Sequence, residues 1–319
     1  MIIGRNEGER LRRCLESARP LAHSTVYVDS GSSDGSVALA ESMGVDVVEL
    51  DMNVPFTAAR ARNAGFKRLQ QVLPQWRCVQ FVDGDCELIE SWLRAATDFL
   101  DEHPSIAIVC GRLRERFPDR SVYNKLCDIE WDRPAGETNA CGGIFMTRPA
   151  LFGSLGGFRE SLIAGEEADL CQRMRASGWK IWRLPQPMAW HDAAMLRFDQ
   201  WWKRSRRTGF GYAQGAYVQG SLVERSRVAQ LLRPLFWAGL LPLAIIGACL
   251  AWGPAWSVLL LAYPFEVLRT AQSIKGDART RFTRAYFLTL GKFPELLGQL
   301  QFWLSRGRNR NARSFDYKS

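Results

Sequence analysis

Strand-like and helix-like patterns alternate from Met1 to about residue 200, and two acidic runs fall where strand patterns end. Glu7 to Ala18 predicts a helix, because Leu11, Cys14, Leu15 and Ala18 share one face at 3–4 spacing. Thr25-Val26-Tyr27-Val28 is β-branched and aromatic and predicts a strand that meets the polar run Asp29 to Ser36. Val37 to Met43 reads as a helix, Val45 to Leu50 as a strand and Ala58 to Val72 as a helix. Val79 to Val82 reads as a buried strand ending at Asp83-Gly84-Asp85, and Lys180 to Leu184 as a later strand. This order predicts an α/β fold, a Rossmann-like and mostly parallel sheet with helices on both faces. Ligands of such sheets sit beyond the carboxyl ends of the strands, where both acidic runs lie.

Two carboxylates two positions apart at a strand end, Asp83 and Asp85, can share a hard cation such as Mg²⁺ or Mn²⁺, directly or through water. Such an ion offsets charge on a departing diphosphate. Read alone, the motif is as often a plain turn. The run Asp29-Ser30-Gly31-Ser32-Ser33-Asp34-Gly35-Ser36 suits a loop that hydrogen-bonds a ribose or base edge, and equally a cap and turn before the next helix. Gly165-Glu166-Glu167-Ala168-Asp169-Leu170 opens a helix. The helix dipole accounts for one acid there, and three exceed what capping needs, so one is a candidate general base. His191 follows the 180–184 strand and either closes the same pocket or is structural.

The formal charge of +9 and a pI near 9.3 call for an anionic partner. Nucleic acid is not expected, because no recognised binding motif is present. Eight scattered cysteines without zinc-ligand spacing read as reduced thiols of a cytosol-facing protein. The opening Met1-Ile2-Ile3-Gly4-Arg5-Asn6-Glu7 has no basic region followed by a long apolar stretch, so no signal peptide is expected, and its strand is short.

Beyond residue 200 the character changes. Trp201-Trp202-Lys203-Arg204-Ser205-Arg206-Arg207 is aromatic and basic, and 201–232 reads as connecting helices. Leu235 to Trp252 is apolar and free of charge, just long enough for a bilayer core of about 30 Å. Gly253-Pro254 breaks it before a shorter apolar run, Ala255 to Phe265. Basic residues flank the pair on both sides, which favours a helical or re-entrant hairpin through 235–268 with both ends cytoplasmic over a single crossing. A buried core pair is the plainer alternative. Phe282 to Leu304 reads as an amphipathic surface segment, and Arg306 to Arg313 as a basic tail suited to anionic headgroups, within a membrane-associated region 233–319.

Five motifs in order resemble family-2 glycosyltransferases of the GT-A fold: Ile2-Ile3-Gly4-Arg5-Asn6-Glu7, Val28 to Ser36, Ala61-Arg62-Asn63-Ala64-Gly65, Val82-Asp83-Gly84-Asp85 and Gly165 to Leu170. The resemblance covers residues 1 to 200, and the stretch from His191 to Arg204 also resembles members of bacterial surface-polysaccharide assembly. It implies inverting transfer of one sugar from a nucleotide-sugar donor to a saccharide or lipid-linked acceptor at the cytoplasmic face of the membrane, with Mn²⁺ or Mg²⁺. Donor contacts would come from Arg5, Glu7, Asp29, Arg62, Asn63 and Asp83, and metal contacts from Asp85, Asp83 and His191. Glu167 aligns with the family's catalytic aspartate. It is one methylene longer, which leaves Glu166 and Asp169 as substitutes. Processive synthases carry Gln-x-x-Arg-Trp, absent here, where Trp201-Trp202-Lys203-Arg204 stands instead. Two rival enzymes fit less well: Glu87 departs from a phosphatase DxDxT/V loop, and no GxGxR nucleotidyltransferase loop is present. The non-enzymatic alternative is a silent transferase-like membrane subunit that docks other proteins.

Overall fold

The computed structural model describes residues 1–73, 75–219 and 225–307. Two compact units divide the chain, Met1–Leu196 and Arg197–Ser319. The basic tail expected at 306–313 lies, from residue 308 on, outside the described residues.

The first unit runs β1 (Ile2–Gly4), α1 (Glu9–Ala18), β2 (Val26–Asp29), α2 (Ser36–Ser42), β3 (Asp46–Glu49), α3 (Ala58–Val72), β4 (Val79–Asp83), β5 (Cys86–Leu88), α4 (Trp92–Glu102), β6 (Ile106–Glu115), α5 (Val122–Trp131), β7 (Gly136–Glu137), β8 (Phe145–Thr147), α6 (Pro149–Ser154), α7 (Glu166–Ala176) and β9 (Lys180–His191). These strands form one sheet ordered β3-β2-β1-β4-β8-β6-β9-β5, with β7 on β9. The expected parallel pairing holds for β3-β2-β1-β4 and for β6 with β9. Every pairing made by β8, β5 and β7 is antiparallel, so the second half of the sheet is mixed.

Register aligns the site. Gly4 pairs with Asp29, and Ile3 pairs with Asp83, so the ends of β1, β2 and β4 stop level with one another. The helix α3 packs closely on this sheet. A Cβ at Gly65 would stand 2.6 Å from Met1 Cγ and 2.9 Å from Val28 Cγ2, so only glycine admits that approach. An aromatic cluster of Phe81, Phe145, Phe152 and Phe158 fills the core beneath α3. The strand β9 runs on to His191, well past the expected end at Leu184. Pro185 and Pro187 read as breakers, but the pairing with β6 shifts register on either side of the Arg112–Pro187 pair and absorbs the missing donor.

The second unit is helical: α8 (Phe198–Gln219), α9 (Arg225–Pro234), a π-helical turn Leu235–Leu240, α10 (Leu241–Trp252), a 3₁₀ stretch Pro254–Leu261, α11 (Ala262–Ser273), α12 (Ala278–Leu290) and α13 (Lys292–Gly307). Val228–Trp252 is one helix, long and apolar enough to cross a membrane. Its outer face is bare, with Leu250 83% and Trp252 72% exposed. The Tyr263 hydroxyl donates to the Trp237 carbonyl at 2.7 Å, so the return leg comes back to the start of the apolar helix. The 282–304 segment is two helices, broken at Gly291; Pro294 sits in the first turn of α13, where its missing N–H costs nothing. One face of α13 packs on α8 through close backbone contact at Gly209 and Gly298, while Leu297, Leu300, Trp303 and Leu304 stay exposed.

Candidate active site

Two loops at the ends of β1 and β2 are zipped together. The Asn6 amide donates to Ser32 Oγ, the Ser33 amide to Asn6 Oδ1 and the Gly8 amide to Asp34 Oδ2. Asp34 also accepts from the Ser36 amide and hydroxyl at the start of α2, and these bonds hold its carboxyl below the usual range against burial. Turn formation therefore accounts for Asp34. Asp29 is buried, and its carboxylate accepts from the Tyr27 hydroxyl at 2.9 Å and from the amides of Gly31 and Ser32 at 2.9 and 2.8 Å. Its first task is to shape this loop. Next to it the Ser30 hydroxyl is buried with no hydrogen-bond partner among the described residues. Glu7 is buried beside this loop and pairs with Arg10 at 2.7 Å; Arg5 is half-buried nearby in the chain.

Arg62, buried on α3, joins the end of β4 to the start of α7. Its Nη2 donates to Asp83 Oδ1 at 2.7 Å and its Nη1 to Glu166 Oε1 at 2.5 Å. The guanidinium lies over the Phe158 ring, 5.6 Å from its centre. Burial opposes its charge, but Asp83, Glu166 and Glu167 outweigh burial and raise its pKa. Both terminal nitrogens are thus committed, and among the described residues no cation pairs with Glu167. Burial and the neighbouring Glu166 push the Glu167 carboxyl up to about 7. A carboxylate that titrates near neutrality is suited to take a proton from a hydroxyl.

The third group gathers where β4, β6 and β9 end and β5 begins. His191 pairs directly with Cys86 on one side and with Glu115 on the other, so the three side chains share one face of the sheet. His191 Nε2 lies 3.6 Å from Asp85 Oδ1, and its Nδ1 lies 3.5 Å from Glu115 Oε2. The Cys86 thiol donates to Asp85 Oδ1 at 3.5 Å. Asp85, Cys86 and His191 each offer a ligand atom within 4.8 Å of the others. Burial disfavours charge on His191, yet Asp85 and Glu115 prevail and raise its pKa. Burial, then Asp85 and Asp83, push the Cys86 thiol well above its ordinary value. Oxygen, nitrogen and sulfur donors beside clustered negative charge fit a divalent cation.

Arg62 brings Glu166 and Asp83 together, with Glu167 next in the chain, and Asp85 meets His191. Two expected residues are committed elsewhere. The Asn63 amide donates to the Phe158 carbonyl and Glu160, and accepts from the Phe158 amide, so Asn63 clamps the loop that seats Phe158 under Arg62. Asp169 is buried and closed by Arg173 at 2.8 Å and Arg159 at 3.5 Å, a pairing that anchors α7. Glu115, Cys86 and Gly143 border these groups without standing among the expected site residues. Glu115 is buried and also accepts from the Ala193 and Phe117 amides and Asn124, which fixes it against His191. A Cβ at Gly143 would lie 2.9 Å from Arg62 Nη2 and 3.0 Å from Asp83 Oδ2, so the turn before β8 rests on the ion pair. The Gly142-Gly143 pair was the only sequence signal for that contact.

Residues 1–154 match the model of glycosyl transferase family 2. The sheet has the GT-A arrangement. It is similar to a mannosyltransferase of Pyrobaculum calidifontis, solved with GDP-Man and Mn²⁺, at a TM-score of 0.59 and 17% identity, over 94% of this chain and 86% of that one. Residues 1–349 of Staphylococcus aureus TarS overlay more loosely, at a TM-score of 0.46 and 15% identity over 97% and 91% of the two chains. In sequence, a TPR repeat-containing protein of Synechococcus elongatus is 30% identical over 135 residues, 42% of this chain. The match spans 31% of that relative's length.

Proposed function

We propose that the chain is an inverting glycosyltransferase of hexosyl type that moves one sugar from a nucleotide-sugar donor to a saccharide or lipid-linked acceptor. The observation that carries this reading is Arg62, which ties the β4 acid of the Asp83-Gly84-Asp85 turn to the helix that begins with Glu166 and Glu167. Asp83 and Glu167 stand close enough for the charge of one to act on the other. The Pyrobaculum mannosyltransferase, of like fold, holds GDP-Man and Mn²⁺, which supports a nucleotide-sugar and a divalent ion here.

Asp85 and His191, with Asp83 beside them, would hold Mn²⁺ or Mg²⁺. Such an ion supplies charge neutralisation for a departing diphosphate. The loops at Arg5, Glu7 and Asp29, with the unpartnered Ser30 hydroxyl, would receive the nucleoside side. Glu167 takes the proton of an acceptor hydroxyl while its oxygen bonds to the anomeric carbon; the bond from that carbon to the diphosphate breaks on the opposite face. One displacement inverts the configuration. Arg62 keeps Glu166 and Asp83 in place and leaves Glu167 as the acid without its own cation.

The exposed apolar helix and return leg of the second unit support attachment to the cytoplasmic face of the inner membrane, integral or re-entrant through 235–268, where a lipid-linked acceptor for surface polysaccharide would be met. The test is chelation. Transfer should stop in EDTA and return with Mn²⁺ or Mg²⁺; transfer indifferent to the chelator contradicts the metal assignment.

A further inference from the structure

One buried acid stands between α5 and the end of β9. Glu115 closes β6 and is 1% exposed. Its Oε1 accepts from the Phe117 amide and from the Asn124 side chain, each at 3.2 Å. Its Oε2 accepts from the Ala193 amide at 3.1 Å and faces His191 Nδ1 at 3.5 Å. Among the described residues no lysine or arginine pairs with it. Its chain neighbours are committed elsewhere, Arg114 to Asp128 and Arg116 to Glu87. A carboxylate this far from water is costly unless its oxygens are occupied, and here an imidazole is among the groups that face them.

The helix α5 secures the arrangement. Asn124, Asp128 and Trp131 follow one another at intervals of four and three, which sets them on one face of the helix. Asn124 is fully buried and also accepts from the Met195 amide at 3.0 Å. Asp128 accepts from the Glu115 amide at 3.0 Å. The Trp131 ring stands 4.6 Å from the His191 ring at an angle of 70°. One helix face therefore steadies the acid, the imidazole and the chain that follows it.

We propose that Glu115, held by α5, is a positioning residue for His191. A carboxylate can only accept, so Glu115 holds the proton on Nδ1, and Nε2 is the nitrogen left to meet a cation on the Asp85 side, 3.6 Å from Oδ1. The proposal rests on the reading of Asp85 and His191 as the cation site and adds what fixes its geometry. An outer carboxylate that orients a ligating imidazole changes metal affinity by about 10–100-fold. Glu115 acts through His191 and not on the substrate.

The experiment titrates Mn²⁺ into the full chain in mild detergent, without substrate, and reads free and bound ion by electron paramagnetic resonance. Glu115→Gln keeps the size of the side chain, removes its charge and should weaken Mn²⁺ by roughly 10-fold or more. Pulsed resonance of the bound ion should show the nitrogen coupling of an imidazole in wild type, and that coupling should shift or vanish in Glu115→Gln. Asn124→Ala leaves the carboxylate in place but loosens it. It should give a smaller loss in the same direction, and it carries the test if Glu115→Gln does not fold. Full affinity in either folded variant overturns the positioning role. So does a loss of affinity with the nitrogen coupling unchanged, which would make Glu115 a support for the Phe117 and Ala193 amides alone. A wild type that binds no Mn²⁺, or binds it without nitrogen coupling, overturns the underlying cation site instead.

Discussion

Arg62 and Glu166, 104 positions apart in the chain, are joined by a buried ion pair of 2.5 Å. The same guanidinium holds Asp83, so one side chain sets the distance between the ends of β4 and α7. Replacing Arg62 by Met leaves the buried Glu166 without its cation, a change that costs about 3–5 kcal/mol. Thermal unfolding should drop by roughly 6–20 °C at about 2–4 °C per kcal/mol, with transfer abolished. Arg62→Lys should recover stability in part and activity little, because a point charge cannot serve both carboxylates as a fork does.

The Glu167 carboxyl, raised to about 7 by burial and by Glu166, accepts a proton only when ionised. Transfer should therefore fall as pH drops through about 7 and level off above it. Glu166→Gln removes the negative neighbour, lowers the Glu167 pKa and should move the acid limb of the kcat/KM profile to lower pH. An unmoved limb would assign the titration to another group.

Three acids open α7, and their roles separate. Glu167→Gln should lower kcat by about 10²–10⁴-fold, the range of a lost general base, with nucleotide affinity retained by calorimetry. Asp169→Asn loosens the Arg173 and Arg159 contacts; it should lower the melting temperature while the folded fraction keeps its kcat.

Gly143 presses on the Arg62–Asp83 pair, so the methyl of Gly143→Ala must displace one of them. Activity should fall while far-ultraviolet circular dichroism stays unchanged. Wild-type activity in Gly143→Ala would show that the pair yields freely.

In the second unit, Leu250 and Trp252 carry exposed apolar surface at the end of the long helix. The double change Leu250→Asp and Trp252→Ser should move the protein from the membrane pellet to the supernatant. Cutting the chain before Arg225 should do the same, and a truncated protein that still pellets would place membrane attachment elsewhere.

Local pattern carried much of this fold. The helix Ala58–Val72 follows its apolar spacing to the residue, and Asp83 and Asp85 were legible because a β-branched strand runs straight into them. Long-range pairing was not legible. Nothing local tells that Glu115 on β6 flanks His191 on β9, or that β8 inserts antiparallel between β4 and β6. Asn63 and Asp169 share motifs with Arg62 and Glu167, but that they also tie into the 155–160 loop is decided by the packing of α3 and α7.

The most direct measurement is nucleotide release by the purified protein in mild detergent, with UDP-, GDP- and dTDP-sugars and Mn²⁺, comparing wild type with Asp85→Ala and Glu167→Gln. The account predicts slow release from one donor, lost in Asp85→Ala, and acceptor-dependent transfer lost in Glu167→Gln. No nucleotide binding or release with any donor would contradict a glycosyltransferase and point to a silent membrane subunit built on the same fold.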